Sequence, residues 1–368
     1  MKFSCYKSDL LDALTFAAQA LSAKPQTPIL LGIYLNADNS TLELQANNFS
    51  IGIITRIPVN VEQPGSIVVS GKRLVNFVKN MPDDTISFAV EDNSLRLDSG
   101  GANVDLLTMK PEDFPKVKTP ETDGSFKILA SLLHDLIKRT IYAVATDDSR
   151  PIFTGVKVDI KADTITLVAT NTHRLALANA KLPDSYPDCS FVVPAKTLNT
   201  ALSRINPKDA DNYINICHSN NYLTFQFDNV FINSRLLEGV YPPHDRVIPK
   251  SSDTRVAVDT NDFKQAINFV ALMSKETTYN TVAFDICDNA IEISSNSSEV
   301  GTANKFVEAD IDGNHDLRIS FNVAYISDVL KVVDSPKLNI AFNDKYSPCL
   351  FTEPNNDNFL YVATPVRT

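Results

Sequence analysis

Residues 28–48 read PILLGIYLNADNSTLELQANN, and residues 151–171 read PIFTGVKVDIKADTITLVATN. The two stretches align without a gap at a constant offset of 123 residues. Each is a pair of alternating apolar runs about a short polar turn, the pattern of an antiparallel hairpin. A third copy, TVAFDICDNAIEISSNS at 281–297, keeps the alternation after losing a few loop residues. Self-similarity at a fixed period is the signature of a repeated structural unit.

The repeat extends on both sides of the hairpin. Upstream, KFSCY, FKILA and RVAVD read as short strands, each followed by an amphipathic helix. Leu10, Leu14 and Ala17 mark the first helix, Leu133, Ile137 and Thr140 the second, and Phe263, Ile267 and Val270 the third, all at spacings of four and three. Downstream, a second strand and helix recur as SIVVSGKRLVNFVKNM, FVVPAKTLNTALSRI and RISFNVAYISDVLKVV. The expected fold is α+β: three domains of two helices and roughly eight antiparallel strands each. Proline-bearing connectors, EDFPKVKTPETDG and YPPHDRVIPKSSD, place the domains at 1–121, 122–251 and 252–368.

Composition bounds what such a chain does. Its 368 residues are 43% hydrophobic and 21% charged, ordinary for a globular protein. The start MKFSCYKSDLLDAL has no apolar leader core, and no apolar run is long enough to cross a membrane, so the expected location is the cytosol. Five cysteines lie far apart with no C-x-x-C pair, and five histidines show no metal-binding spacing. No nucleotide-binding glycine motif or nucleophile elbow occurs, so no cofactor and no metal is expected.

Net charge is −10, which taken whole opposes binding to nucleic acid. The charge is segregated, however. Six helix windows, 7–24, 71–80, 131–141, 194–208, 262–275 and 322–337, hold fourteen Lys or Arg against six Asp. Helices that are repeat-related and net basic within an acidic protein suggest one common surface facing a polyanion. As none of them is an Asn/Gln-rich recognition helix, they imply phosphate contacts and no reading of bases.

The stretch VATNTHRLALA at 168–178 sets His173 and Arg174 inside a strand-like run. The offset of 123 puts Ser50 and Ile51 in the same place, so the repeat does not require the pair. A hydrolase using His173 with Asp147 or Asp148 is one alternative reading, and a peptide-binding scaffold that never meets DNA is another.

RPIFTGV (150–156), ATNTHRLA (169–176), YPPHDRVIP (241–249) and YVATPVRT (361–368) together resemble the bacterial sliding clamps, the β subunits of DNA polymerase III, over the whole chain. The resemblance implies a non-enzymatic, head-to-tail homodimer. Its six domains form a ring whose helices line the hole, encircle duplex DNA without sequence specificity and tether the polymerase. It implies partners that insert a short peptide: the replicative polymerase, the clamp loader and other proteins bearing a clamp motif. It places the peptide pocket at Phe153, Thr170, Thr172, His173, Arg174, Leu175, Pro242, Arg246 and Val247, with Pro348, Val362, Thr364, Pro365, Val366 and Arg367 from the third domain. Thr172 stands where the family often has glycine, and Thr364 and Val366 where some members have methionine.

The same resemblance sets Lys24 and Arg150 near DNA, beside Lys72, Arg73, Lys79, Lys138, Arg139, Lys196, Arg204 and Lys208 from the helix argument. For the dimer it implies Arg96 and Val104 against Leu272, Met273 and Glu299.

Overall fold

The computed structural model describes residues 1–22, 27–117, 123–209, 211–274, 280–297 and 300–367. The chain divides into two compact units: residues 1–129, 199–204 and 211–236, and residues 130–198, 205–210 and 237–368. The middle repeat contributes to both.

The first unit carries a 13-stranded antiparallel sheet. From one edge it runs Gly124–Leu129, Tyr213–His218, Tyr222–Gln226 and Val230–Arg235, then crosses to Ile51–Pro58 and Thr41–Asn47 of the first repeat. Pairing of Ile51 with Ser234 and Gly52 with Asn233 makes the sheet continuous from one repeat to the next. Helix α1, Lys7–Ala17, buries Leu10, Ala13, Leu14, Phe16 and Ala17, the stripe expected from its spacing. Helix α2, Gly71–Asn80, buries Leu74 and Val78 and leaves Lys72, Arg73 and Lys79 exposed.

The second unit repeats this construction with ten strands. The long hairpin Gly155–Thr170 and Arg174–Pro194 pairs with Asn356–Ala363, Arg174 opposite Ala363 and Leu175 opposite Val362. Helix α3, Ala130–Thr140, packs on that hairpin, while α5, Thr260–Ser274, and α6, Val323–Leu330, belong to the third repeat. An aromatic chain runs from Phe263 on α5 through Phe284, Phe321 and Phe351 to Tyr361, with ring centroids 5.2–6.4 Å apart. Such pairs contribute about 0.5–1.5 kcal/mol each beyond area burial and fix the strand that carries Val362.

Helix α4, Ala195–Leu202, is shorter than its expected window, because Asn206-Pro207 ends in turns that no helix can enter. α1 tightens into a 3-10 turn at Ala18–Ala20, and α6 stops at Leu330, ahead of Ser335-Pro336. Within the observed helix bounds the described residues hold eight Lys or Arg against five Asp, a smaller excess than the wider windows gave. Much of the basic surplus lies in the segments flanking the helices, and α2 carries the clearest share within them.

Arg139 corrects the expectation for the basic helices. It is 9% exposed, and its guanidinium bonds Asp135 at 2.9 Å, Glu353 at 2.9 Å and Asp334 at 3.4 Å, over the ring of Phe359. Its charge is neutralised inside the second unit, so it is not an exposed phosphate contact. No helix among the described residues is long and apolar enough to cross a membrane.

Candidate functional site

The loop at 170–174 is built by its own side chains. Asn171 Oδ1 accepts from the backbone N–H of His173 at 3.1 Å and of Arg174 at 3.0 Å, an Asx turn. Thr170 Oγ1 donates to the Arg174 carbonyl at 2.6 Å and accepts from Thr172 N–H at 3.1 Å. These bonds hold Thr172 at φ 76°, a left-handed conformation that a β-branched residue adopts at a cost. The His173 carbonyl then accepts both the N–H and the hydroxyl of Thr364, each at 2.9 Å. The loop and the end of the strand Asn356–Ala363 are thereby locked together.

Beside this loop lies a cavity of about 300 Å³. Its lining includes Phe153, Thr170, Thr172, Arg174, Leu175, Pro242, Val247, Pro348, Val362 and Thr364, all expected from the sequence. It also takes in Pro243, His244 and Arg150, the last placed near DNA by the resemblance. His173, Arg246, Pro365, Val366 and Arg367 are outside the lining; His173 contributes its carbonyl, and Val366 N–H bonds Ser320 O at 2.8 Å. The base is apolar: Phe153, Val168, Leu175, Val192, Tyr241 and Val362 form one buried cluster, with Phe153 and Tyr241 edge to face at 5.6 Å.

Arg174 turns its charge inward. Its guanidinium pairs with Asp328 at 2.7 Å, donates to the Tyr142 carbonyl and stacks over the Tyr325 ring at 4.6 Å. Its stem remains to wall the cavity, as long cationic side chains commonly do. His244, at the start of a 3-10 turn, is held below the usual imidazole range chiefly by burial. The signal for Pro243 and His244 was their adjacency to Pro242 in YPPHDRVIP.

None of this resembles a catalytic centre. Asp147 is engaged by the hydroxyl and N–H of Ser149, which lower its pKa, and it forms no dyad with His173 among the described residues. No cluster of three or more His, Cys, Asp or Glu suited to a metal occurs among the described residues.

Lys72, Arg73, Lys79, Lys196 and Lys208 are exposed, and Lys138 is half-buried. Arg204 is paired with Asp12 at 2.6 Å and lies over the Phe16 ring. Arg96 pairs with Asp98 at 3.0 Å, Val104 and Met273 are half-buried, and Leu272 is 69% exposed. Lys24 and Glu299 lie outside the described residues.

Three family models match in sequence order: the DNA polymerase III beta subunit N-terminal domain over residues 1–118, its central domain over 127–243 and its C-terminal domain over 245–367. The beta sliding clamp of Bacillus subtilis is 34% identical over the full length of both chains, and that of Halalkalibacterium halodurans 32%. The solved Bacillus subtilis clamp superposes with a TM-score of 0.93 over 100% of this chain and 99% of that one, at 32% identity. A Pseudomonas aeruginosa clamp solved bound to griselimycin gives 0.93 at 26% identity over the whole of both chains. With three matched domains in order and full-length relatives above 30% identity, this chain belongs to the DNA polymerase III beta subunit family, the bacterial sliding clamps, which are non-catalytic processivity factors of DNA replication.

Proposed function

We propose that two copies of this chain, each of three domains at 1–121, 122–251 and 252–368, close head to tail into a ring around duplex DNA. The replicative polymerase, the clamp loader and other motif-bearing proteins dock in the cavity beside Thr172. The observation that carries the docking is that cavity itself: an apolar base under Leu175 and Val362, ringed by backbone and hydroxyl groups, which suits an extended peptide with Leu or Phe anchors. Exposed Leu107 (79%) and Leu272 (69%) supply apolar surface in the first and third repeats for a dimer contact. Lys72, Arg73, Lys79, Lys138, Lys196 and Lys208, with Arg150, Arg204 and Lys24, make up the DNA-facing set, and Arg96, Val104, Leu272, Met273 and Glu299 the dimer set.

Val247→Asp tests the docking. Val247 is 48% exposed on the cavity wall, so the carboxylate disturbs little of the fold and places charge where the anchor must sit. The expected result is a loss of long products by the cognate polymerase, at least tenfold in length, together with a loss of loader-dependent loading on DNA. Undiminished product length contradicts the assignment.

A further inference from the structure

The first unit contains the same loop as the peptide cavity of the second. At an offset of 123, Asn48 takes the place of Asn171, and its Oδ1 accepts from Ser50 N–H at 3.0 Å and Ile51 N–H at 2.9 Å. Phe49 takes the place of Thr172 and shares its left-handed backbone, at φ 70°. Ser50 takes the place of His173, and its carbonyl accepts the N–H of Arg235 at 2.9 Å, as that of His173 accepts Thr364. The strand pairings agree: Gly52 faces Asn233 as Leu175 faces Val362.

A cavity opens here too, of about 970 Å³. Asn47, Phe49 and Gly52 line it where Thr170, Thr172 and Leu175 line the other, and Tyr222, Asn233 and Arg235 stand for Pro348, Val362 and Thr364. The connector matches as well, since Phe114 packs into the buried cluster beneath this cavity as Tyr241 does beneath the smaller one.

Two differences define what it would accept. Leucine has become Gly52, and Val117 occupies the space so freed: a Cβ at Gly52 would lie 2.8 Å from Val117 Cγ1. With Asn233 in place of valine, the base is more polar. The charge also differs. Lys116 and Arg235 line the cavity against one carboxylate, Glu112, among the described lining residues, although the chain as a whole carries −10. Lys116 lies over the Tyr34 ring at 4.9 Å, and Phe49 (62%) and Tyr222 (37%) add exposed aromatic surface to the lining.

We propose that this cavity is a second peptide-docking site, selective for an extended segment of a partner protein that carries a carboxylate beside an aromatic or leucine anchor. The anchor lies among Phe49, Phe114 and Tyr222, and the carboxylate meets Lys116. The inference rests on reading the smaller cavity as a peptide pocket, because its force comes from the shared construction.

Isothermal titration of the full chain with acetyl-Asp-Leu-Phe-amide tests it. The variants are Phe49→Asn with Lys116→Glu, which keeps a residue suited to the left-handed backbone, and Val247→Asp. The expected result is two peptides per chain, falling to one in either variant, with acetyl-Lys-Leu-Phe-amide at least tenfold weaker at the site that contains Lys116. One peptide per chain, lost in Val247→Asp and untouched by Phe49→Asn/Lys116→Glu, overturns the second site and leaves the first. One peptide lost only in Phe49→Asn/Lys116→Glu supports the second site and overturns the first. No binding at millimolar peptide overturns both.

Discussion

At the scale of single residues, two positions carry costs that the fold maintains. Thr172 holds φ 76° only because Thr170 and Asn171 bond the backbone around it. A non-glycine residue in this region costs roughly 1–2 kcal/mol, of which the freer unfolded chain of glycine takes back part. Thr172→Gly is therefore expected to raise unfolding stability in urea by up to about 1 kcal/mol, and a decrease of that size would show the side chain to be a net support. The second position is Glu353, whose side chain is 3% exposed. Burial acts to raise its pKa, but the N–H of Asp334, Arg139 and Asn356 outweigh it and hold it below the ordinary 4.5. A carboxylate depressed in the folded state adds stability above its unfolded pKa and loses it as pH falls through the folded value. Denaturation curves should thus weaken below about pH 4.5, and Glu353→Gln should flatten that acid limb; an unchanged slope would remove Glu353 as its cause. Of the cavity lining, residues such as Phe153, Leu175 and Val362 were legible only through the family resemblance of the motifs that hold them. Arg139 was not, since an exposed and a buried arginine at one helical position look alike until Asp334 and Glu353, far along the chain, fold against it.

At the scale of elements, hairpins and helix starts were legible because a period of 2 or 3.6 leaves a trace in a single sequence. Helix ends were less so. α4 stops before Asn206-Pro207 and α6 before Ser335-Pro336, where proline and turn hydrogen bonds compete with a pattern that is still amphipathic. The strand pairing that joins Ile51–Pro58 to Val230–Arg235 spans more than 170 residues and leaves no local mark. Among the helices, α2 holds three exposed cations and no acid. Each phosphate that a cation neutralises adds about 0.9 to the slope of log affinity against log salt. Replacing Lys72, Arg73 and Lys79 by Glu should lower that slope by about 0.9 for every phosphate these side chains neutralise, with short-duplex binding followed by anisotropy. A slope that does not move would remove α2 from the DNA-facing surface.

At the scale of the whole molecule, family membership and the repeated, sheet-continuous construction argue that retention on DNA comes from enclosure. Lys72, Arg73, Lys79, Lys196 and Lys208 are exposed, so any phosphate contacts they make are screened and affinity alone would give weak binding at physiological salt. The most direct measurement is retention of the loaded protein on a nicked circular plasmid during gel filtration at about 0.5 M salt, where phosphate-mediated affinity is largely suppressed, before and after a single restriction cut. Enclosure predicts that the protein stays with the circle and leaves within minutes of linearisation. Equal retention on circular and linear DNA, or release from both, would contradict it.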